Sequence, residues 1–177
     1  MSGTIFRVRD AIEQLEASLH ALVWALGLIS ADLAQRLFEP SGWSPATHLA
    51  HLVLYEERVS VPIIDALLRG EDGTAAVHDG GEGWLARESE ALGASDLAVL
   101  AARYQRTRER LIAAVRRFGD VEFNEPRCAV TTPMFRDIGL HPAGLVTMKA
   151  YQHTWEHGNV ILRTARLAYI RPVRLAR

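Results

Sequence analysis

The sequence predicts an all-α protein, a four-helix bundle formed as one domain over residues 1–177. Two observations carry that expectation. Four segments repeat apolar residues at steps of three and four, the period of an amphipathic helix. Between them lie glycine- and proline-rich stretches, and no segment shows the two-residue alternation of a strand. An amphipathic stripe cannot bury itself, so four of them in one chain imply helices packed on each other.

The first segment is the clearest. Val8, Ile12, Leu15, Leu19, Leu22, Leu26 and Ile29 form one stripe along a helix. The second is "GWSPATHLAHLVLYEERVSVPIIDALLRG". Ser44 suits the N-cap and Pro45 the first helical position, where its missing N–H costs nothing. Gly70 is a natural stop, and Pro62 predicts a kink because it removes one backbone bond. "EDGTAAVHDGGEGW" then reads as a loop. The third segment starts from a cap at Ser95 or Asp96 and ends at Gly119, with Leu97, Leu100, Tyr104, Leu111 and Val115 on its apolar face and its arginines on the wet face. A proline-rich connection follows, and the fourth helix begins near Pro142.

Bulk properties narrow the class. The chain has 177 residues, 49% of them hydrophobic, and a net charge of −1. That is enough to bury a core without disulfides. No apolar run approaches the roughly 20 residues needed to cross a bilayer, and "MSGTIFRVRD" lacks the features of a secretory signal. The single cysteine, Cys128, has no disulfide partner, and its proline-rich setting has no neighbouring histidine. It reads as a plain thiol in a reducing compartment, so a cytoplasmic protein is expected. Five arginines and no carboxylate follow His157. Without stacking aromatics or a nucleic-acid motif, that run reads as a solvated helix end with a loose basic tail of ~10 residues, and no nucleic acid is expected.

The chemistry lies in the histidines. His153 and His157 are four apart in "YQHTWEHGNVI", on a stripe with Val146, Ala150, Val160 and Ile161. Two rings one turn apart can point at one ion, and two inward rings are hard to satisfy without an ion or a charged partner. A third ligand is available on the second helix, from His48 or His51, which periodicity does not separate. Three neutral imidazoles around a divalent ion leave one position open, which suits chemistry more than structure. "HTWEH" also matches the H-x-x-E-H pattern of inverted zinc peptidases, but no carboxylate follows His157 to complete that site. His20, next to the first helix's stripe, reads as a solvent-facing residue or one held by a core hydrogen bond, His78 as an exposed loop residue, and His141 as a cap-region residue that could lie near the site opening. Glu56, Glu57 and Glu156 are the acidic candidates for partners of the ligands, Tyr55 could reach the pocket, and Trp43 and Trp155 read as packing residues.

In order and spacing, "GWSPATHLAHLVLYEERV" and "HTWEHGNVI" resemble the two signatures of the DinB-like (DinB/YfiT-like) superfamily of metal-binding helical bundles. The resemblance implies an up-up-down-down four-helix bundle holding a divalent ion, commonly nickel or zinc, on three histidines. Carried onto this sequence, the ligands are His51, His153 and His157. His48 is an additional histidine one turn earlier, and with Tyr55, Glu56 and Glu156 it is a candidate for the pocket or its surroundings. Gly158 and Asn159 stand where many relatives carry arginine and glutamine. Relatives of known activity include transferases and isomerases that use low-molecular-weight thiols. A metal-dependent enzyme acting on a small-molecule substrate, of the thiol S-transferase kind and a homodimer, is therefore one expectation. A non-catalytic metal-holding or stress-response bundle is the second, and an all-structural bundle with no metal is the third.

Overall fold

The computed structural model describes residues 6–37, 42–71, 83–129 and 140–170. The elements run α1 (Val8–Leu26), α2 (Ala31–Ala34), α3 (Pro45–Tyr55), a π-helical turn (Glu56–Ser60), α4 (Val61–Leu68), α5 (Trp84–Gly93), α6 (Leu97–Val115), α7 (Asp120–Phe123), β1 (Cys128–Ala129), β2 (Leu140–His141) and α8 (Ala143–Ile170). The all-α expectation holds. The four long stretches are α1, the α3–α4 run, α6 and α8. A two-residue antiparallel ladder, Cys128 with His141 and Ala129 with Leu140, departs from the strand-free reading. It ties the base of α8 to the chain that follows α7.

Local signals set most boundaries. The Ser44 hydroxyl accepts from the Thr47 N–H at 3.1 Å and Pro45 follows it, so α3 starts where the sequence places it. At α6 the cap is Asp96, which accepts from Ala98 N–H at 2.7 Å. The end of α6 differs from expectation: the helix stops at Val115, and Gly119 instead precedes the short α7. Gly70, at φ 72°, terminates the α3–α4 run in the left-handed conformation that costs glycine nothing. Pro62 has its effect one turn upstream. It offers no N–H to the carbonyl of Arg58, and the backbone between Glu56 and Ser60 takes up π spacing before α4 resumes.

α1 packs chiefly on α8 and α6, while α3 packs on α5, α6 and α8, so α1 and α3 occupy opposite corners. The core falls into two apolar clusters. One gathers Leu15, Ile63, Leu111, Val115, Phe123 and Val146, and the other Leu22, Leu49, Leu52, Leu100 and Ile161. Between them lies a buried polar layer of Ser18, Glu56, Tyr104, Arg108 and Thr154. Arg108 is 0% exposed, which corrects the reading of the α6 arginines as a wholly solvated face. The histidine pairs of α3 and α8 lie beside this layer.

α5 is held on α3 by a close backbone approach. A Cβ on Gly93 would lie 2.8 Å from the Cα of Thr47, closer than real atoms come. The Gln35 amide donates to the Gly93 carbonyl at 3.0 Å and fixes the same end. Gly93→Ala is accordingly expected to cost about 1–3 kcal/mol in urea unfolding, because backbone rather than a flexible side chain must yield. An unchanged midpoint would mean that α5 does not sit there.

Candidate metal centre

The Ser44 cap fixes the start of α3, and from it His48 and His51 project one turn apart toward α8. His153 and His157 project back from α8. The structure brings all four rings together. His51 Nε2 lies 3.1 Å from His153 Nε2, and His48 Nδ1 lies 2.7 Å from His157 Nδ1. One nitrogen each from His51, His153 and His157 falls within a span of 4.8 Å. Ring centroids of His153 and His157 are 4.6 Å apart, and those of His51 and His157 4.8 Å.

These distances separate two kinds of contact. Ligand bonds of 2.0–2.1 Å in a tetrahedral set put neighbouring ligand atoms about 3.3 Å apart. The 3.1 Å between the Nε2 atoms of His51 and His153 is close to that edge. At 2.7 Å, the His48–His157 contact is shorter than the edge and has the length of a hydrogen bond between ring nitrogens. Closing the third ligand, His157, from within 4.8 Å needs a contraction of side-chain scale only.

Burial keeps the rings neutral. Desolvation lowers the pKa of His48 to about 4, and desolvation with the nearby His48 lowers His51 to about 4. His153 falls to about 3, through burial first and then His51, Arg108 and Lys149. His157 falls to about 2, through burial and then the other three histidines. Neutral imidazoles present lone pairs without a proton to displace, which is the state a cation requires. The Nδ1 of His153 is buried and lacks a hydrogen-bond partner. That is the mark of a ring placed for what its other nitrogen meets. Donor type, neutrality and spacing all fit a divalent cation.

Aromatic walls enclose the cluster. Tyr55 packs edge-on to His153 with centroids 4.3 Å apart. Trp43 spans the opposite side, 5.4 Å from His48, 5.2 Å from His51 and 6.4 Å from His157, the last nearly parallel. Its indole N–H donates to Glu90 on α5 at 3.3 Å. Trp43 thus forms a wall of the cluster as well as packing, whereas Trp155 is 39% exposed and does not pack the bundle interior.

The acidic candidates sort differently. Glu56 is buried, but it faces Arg108 and Tyr104 in the polar layer instead of a histidine. Glu57 pairs with Arg103 at 2.6 Å, and Glu156 lies on the exposed face. No carboxylate among the described residues therefore orients a ring of the cluster. That place is taken by Ser89 on α5, whose Oγ lies 3.3 Å from His51 Nδ1. The sequence reading has no counterpart for Ser89, because α5 hides behind the glycine-rich stretch. The spacing of Leu85, Ser89 and Leu92 is the signal that could have revealed it. His20 is exposed, the solvent-facing one of its two readings. His78 and the tail 171–177 lie outside the described residues, as do the side chains of Cys128 and His141.

An all-helical bundle with imidazoles from its second and last long stretches converging beside a polar layer defines a histidine-centred, metal-compatible class. The chain belongs to the DinB superfamily, whose family model matches residues 14–161. Among solved structures, it is similar to the mycothiol-dependent maleylpyruvate isomerase, with a TM-score of 0.69 and 14% identity over 89% of this chain and 62% of that chain. A histidine-to-alanine mutant of the mycothiol-dependent maleylpyruvate isomerase gives a TM-score of 0.68 at 16% identity with the same coverage. At these identities the likeness is one of fold, and this chain spans about 62% of the length of those proteins. No curated protein matches the chain in sequence. No helix among the described residues is long and apolar enough to cross a membrane.

Proposed function

We propose that this chain is a divalent-metal-dependent enzyme acting on a small molecule, with a low-molecular-weight thiol as co-substrate. His51, His153 and His157 would hold the ion, which the family resemblance implies is nickel or zinc. The observation that carries the reading is the approach of His51 Nε2 and His153 Nε2 to 3.1 Å from two helices, with both rings kept neutral. Bound there, such an ion supplies a Lewis acid that lowers the pKa of a thiol and favours its thiolate. Three protein ligands leave a position for that thiol. The chain's own part is to hold three rings in place, to wall the cluster with Tyr55 and Trp43, and to keep bulk water from competing. The dependence of the similar isomerase on mycothiol supports a thiol in this role here.

Elemental analysis of purified wild type, His153→Ala, His157→Ala and His78→Ala tests the metal. Both α8 variants are expected to lose most of the bound metal and His78→Ala to keep it, and equal content in all four would defeat the reading. The thiol is tested by titrating mycothiol and bacillithiol into cobalt-substituted protein. A new thiolate-to-metal absorption band is expected. A spectrum indifferent to both thiols would point instead to a bundle that only holds metal.

A further inference from the structure

We infer that Ser89 is a positioning residue that selects the ligating tautomer of His51, so that α5 belongs to the metal centre. The inference rests on the metal reading above but starts from hydrogen-bond direction alone. Ser89 is fully buried, and its hydroxyl lies 2.5 Å from the Leu85 carbonyl oxygen. A carbonyl only accepts, so the Ser89 proton is committed to Leu85. Toward His51 the Ser89 oxygen has only lone pairs left. The 3.3 Å contact is then possible in one sense, with His51 Nδ1–H donating to Ser89 Oγ. A neutral imidazole with its proton on Nδ1 has its lone pair on Nε2. Nε2 is the nitrogen that faces His153 at 3.1 Å. The ring is thus fixed in tautomer and in rotation before any ion arrives.

The position of Ser89 is determined independently of the histidines. Gly93 abuts Thr47 on α3, Gln35 holds the Gly93 carbonyl, and Glu90 accepts from Trp43. α5 is therefore clamped along one edge of α3, with Ser89 one turn from the clamp. Removing the hydroxyl leaves the fold its clamp and removes only the selection. The ring can then place its proton on Nε2, and that tautomer cannot ligate through the nitrogen facing the cluster. Loss of a group that orients a metal-binding histidine typically weakens affinity 10–100-fold.

The first test needs no metal. In metal-free protein labelled with nitrogen-15, long-range ring correlations should show His51 as the Nδ1–H tautomer in wild type and as a mixture in Ser89→Ala. An unchanged tautomer would overturn the inference while leaving the metal reading intact. The second test is calorimetric titration of nickel into metal-free wild type, Ser89→Ala, His51→Ala and the double variant. Ser89→Ala should bind about 10–100-fold more weakly with an unchanged melting temperature of the metal-free protein. It should have no further effect in the His51→Ala background, because Ser89 acts only through that ring. An equal loss in both backgrounds would mark Ser89 as merely structural and sink the inference. Ser89→Cys, which keeps a weaker acceptor at the same place, should fall between wild type and Ser89→Ala, and it carries the test should the alanine variant fold poorly. Failure of wild type to bind nickel at all would defeat the metal reading and leave the tautomer result standing.

Discussion

Arg108→Ala is expected to destabilise the protein by about 3–5 kcal/mol in urea unfolding, the cost of leaving a buried charge without its partner. The guanidinium is fully buried and reaches every long stretch of the bundle. It donates to the Leu15 carbonyl at 3.2 Å and Ser18 Oγ at 2.9 Å on α1. It pairs with Glu56 in the π turn through Nε and Nη2 and donates to the Tyr104 hydroxyl on its own helix. On α8 it donates to Thr154 Oγ1 at 2.5 Å. Burial pushes the Glu56 carboxyl upward, and Arg108 and Tyr104 oppose it. Alanine would remove the guanidinium's part of that opposition, the larger one, and every one of these contacts at once. Pairing is the decisive point, so the double variant Arg108→Met, Glu56→Leu should recover most of the loss, since an apolar replacement of both partners leaves no charge to desolvate. If the double variant were as unstable as the single, the damage would lie in packing volume and the charge argument would fail.

Glu56 follows Tyr55 directly and Thr154 follows His153 directly. The polar layer therefore grips α3 and α8 at the residues next to the cluster. A rigid core at that height fixes the separation of the two helices on which the 3.1 Å approach of His51 and His153 depends.

Much of this was legible in sequence, and the failures have physical causes. The caps at Ser44 and Asp96 are local chemistry and needed no tertiary context. Arg108 was missed because arginine is usually solvated, yet the stripe Leu100, Tyr104, Leu111, Val115 has a gap of seven residues that Arg108 fills at four-residue spacing. An arginine in the missing place of an apolar stripe is a signal for a buried pair. Its partner, Glu56, likewise continues the Leu49, Leu52 and Val53 face. The choice between His48 and His51 was beyond periodicity because both rings do turn inward. Only distance separates them, with His51 at a coordination edge from His153 and His48 at hydrogen-bonding distance from His157. The docking of α5 against α3 was out of reach for another reason. Docking by Gly93 on Thr47 is a backbone approach between residues 46 positions apart, and no local pattern encodes it.

Metal-free protein is expected to lose stability steeply as pH falls below about 6.5, and to unfold or open the cluster before pH 4. The sign follows from where protons bind. An unfolded histidine titrates near 6.5, whereas the folded values are about 4 for His48 and His51, about 3 for His153 and about 2 for His157. Between those limits the unfolded chain takes up protons that the folded chain refuses, so each step toward acid favours unfolding. The stabilisation is complete above the unfolded pKa and disappears as pH drops. A depression of the size at His51 alone corresponds to roughly 3 kcal/mol by pH 4, a sizeable part of the ~5–15 kcal/mol that a domain of this kind has to lose. Near-ultraviolet circular dichroism of metal-free protein between pH 7 and pH 3 reads the transition. Replacing His48 and His157 by leucine should flatten it, because two of the proton-refusing groups are gone. A metal-loaded sample should unfold at lower pH, since a bound cation competes with protons for the same lone pairs. Native spectra persisting unchanged to pH 3 in metal-free protein would mean that the rings accept protons where they stand, and that burial does not hold the cluster neutral.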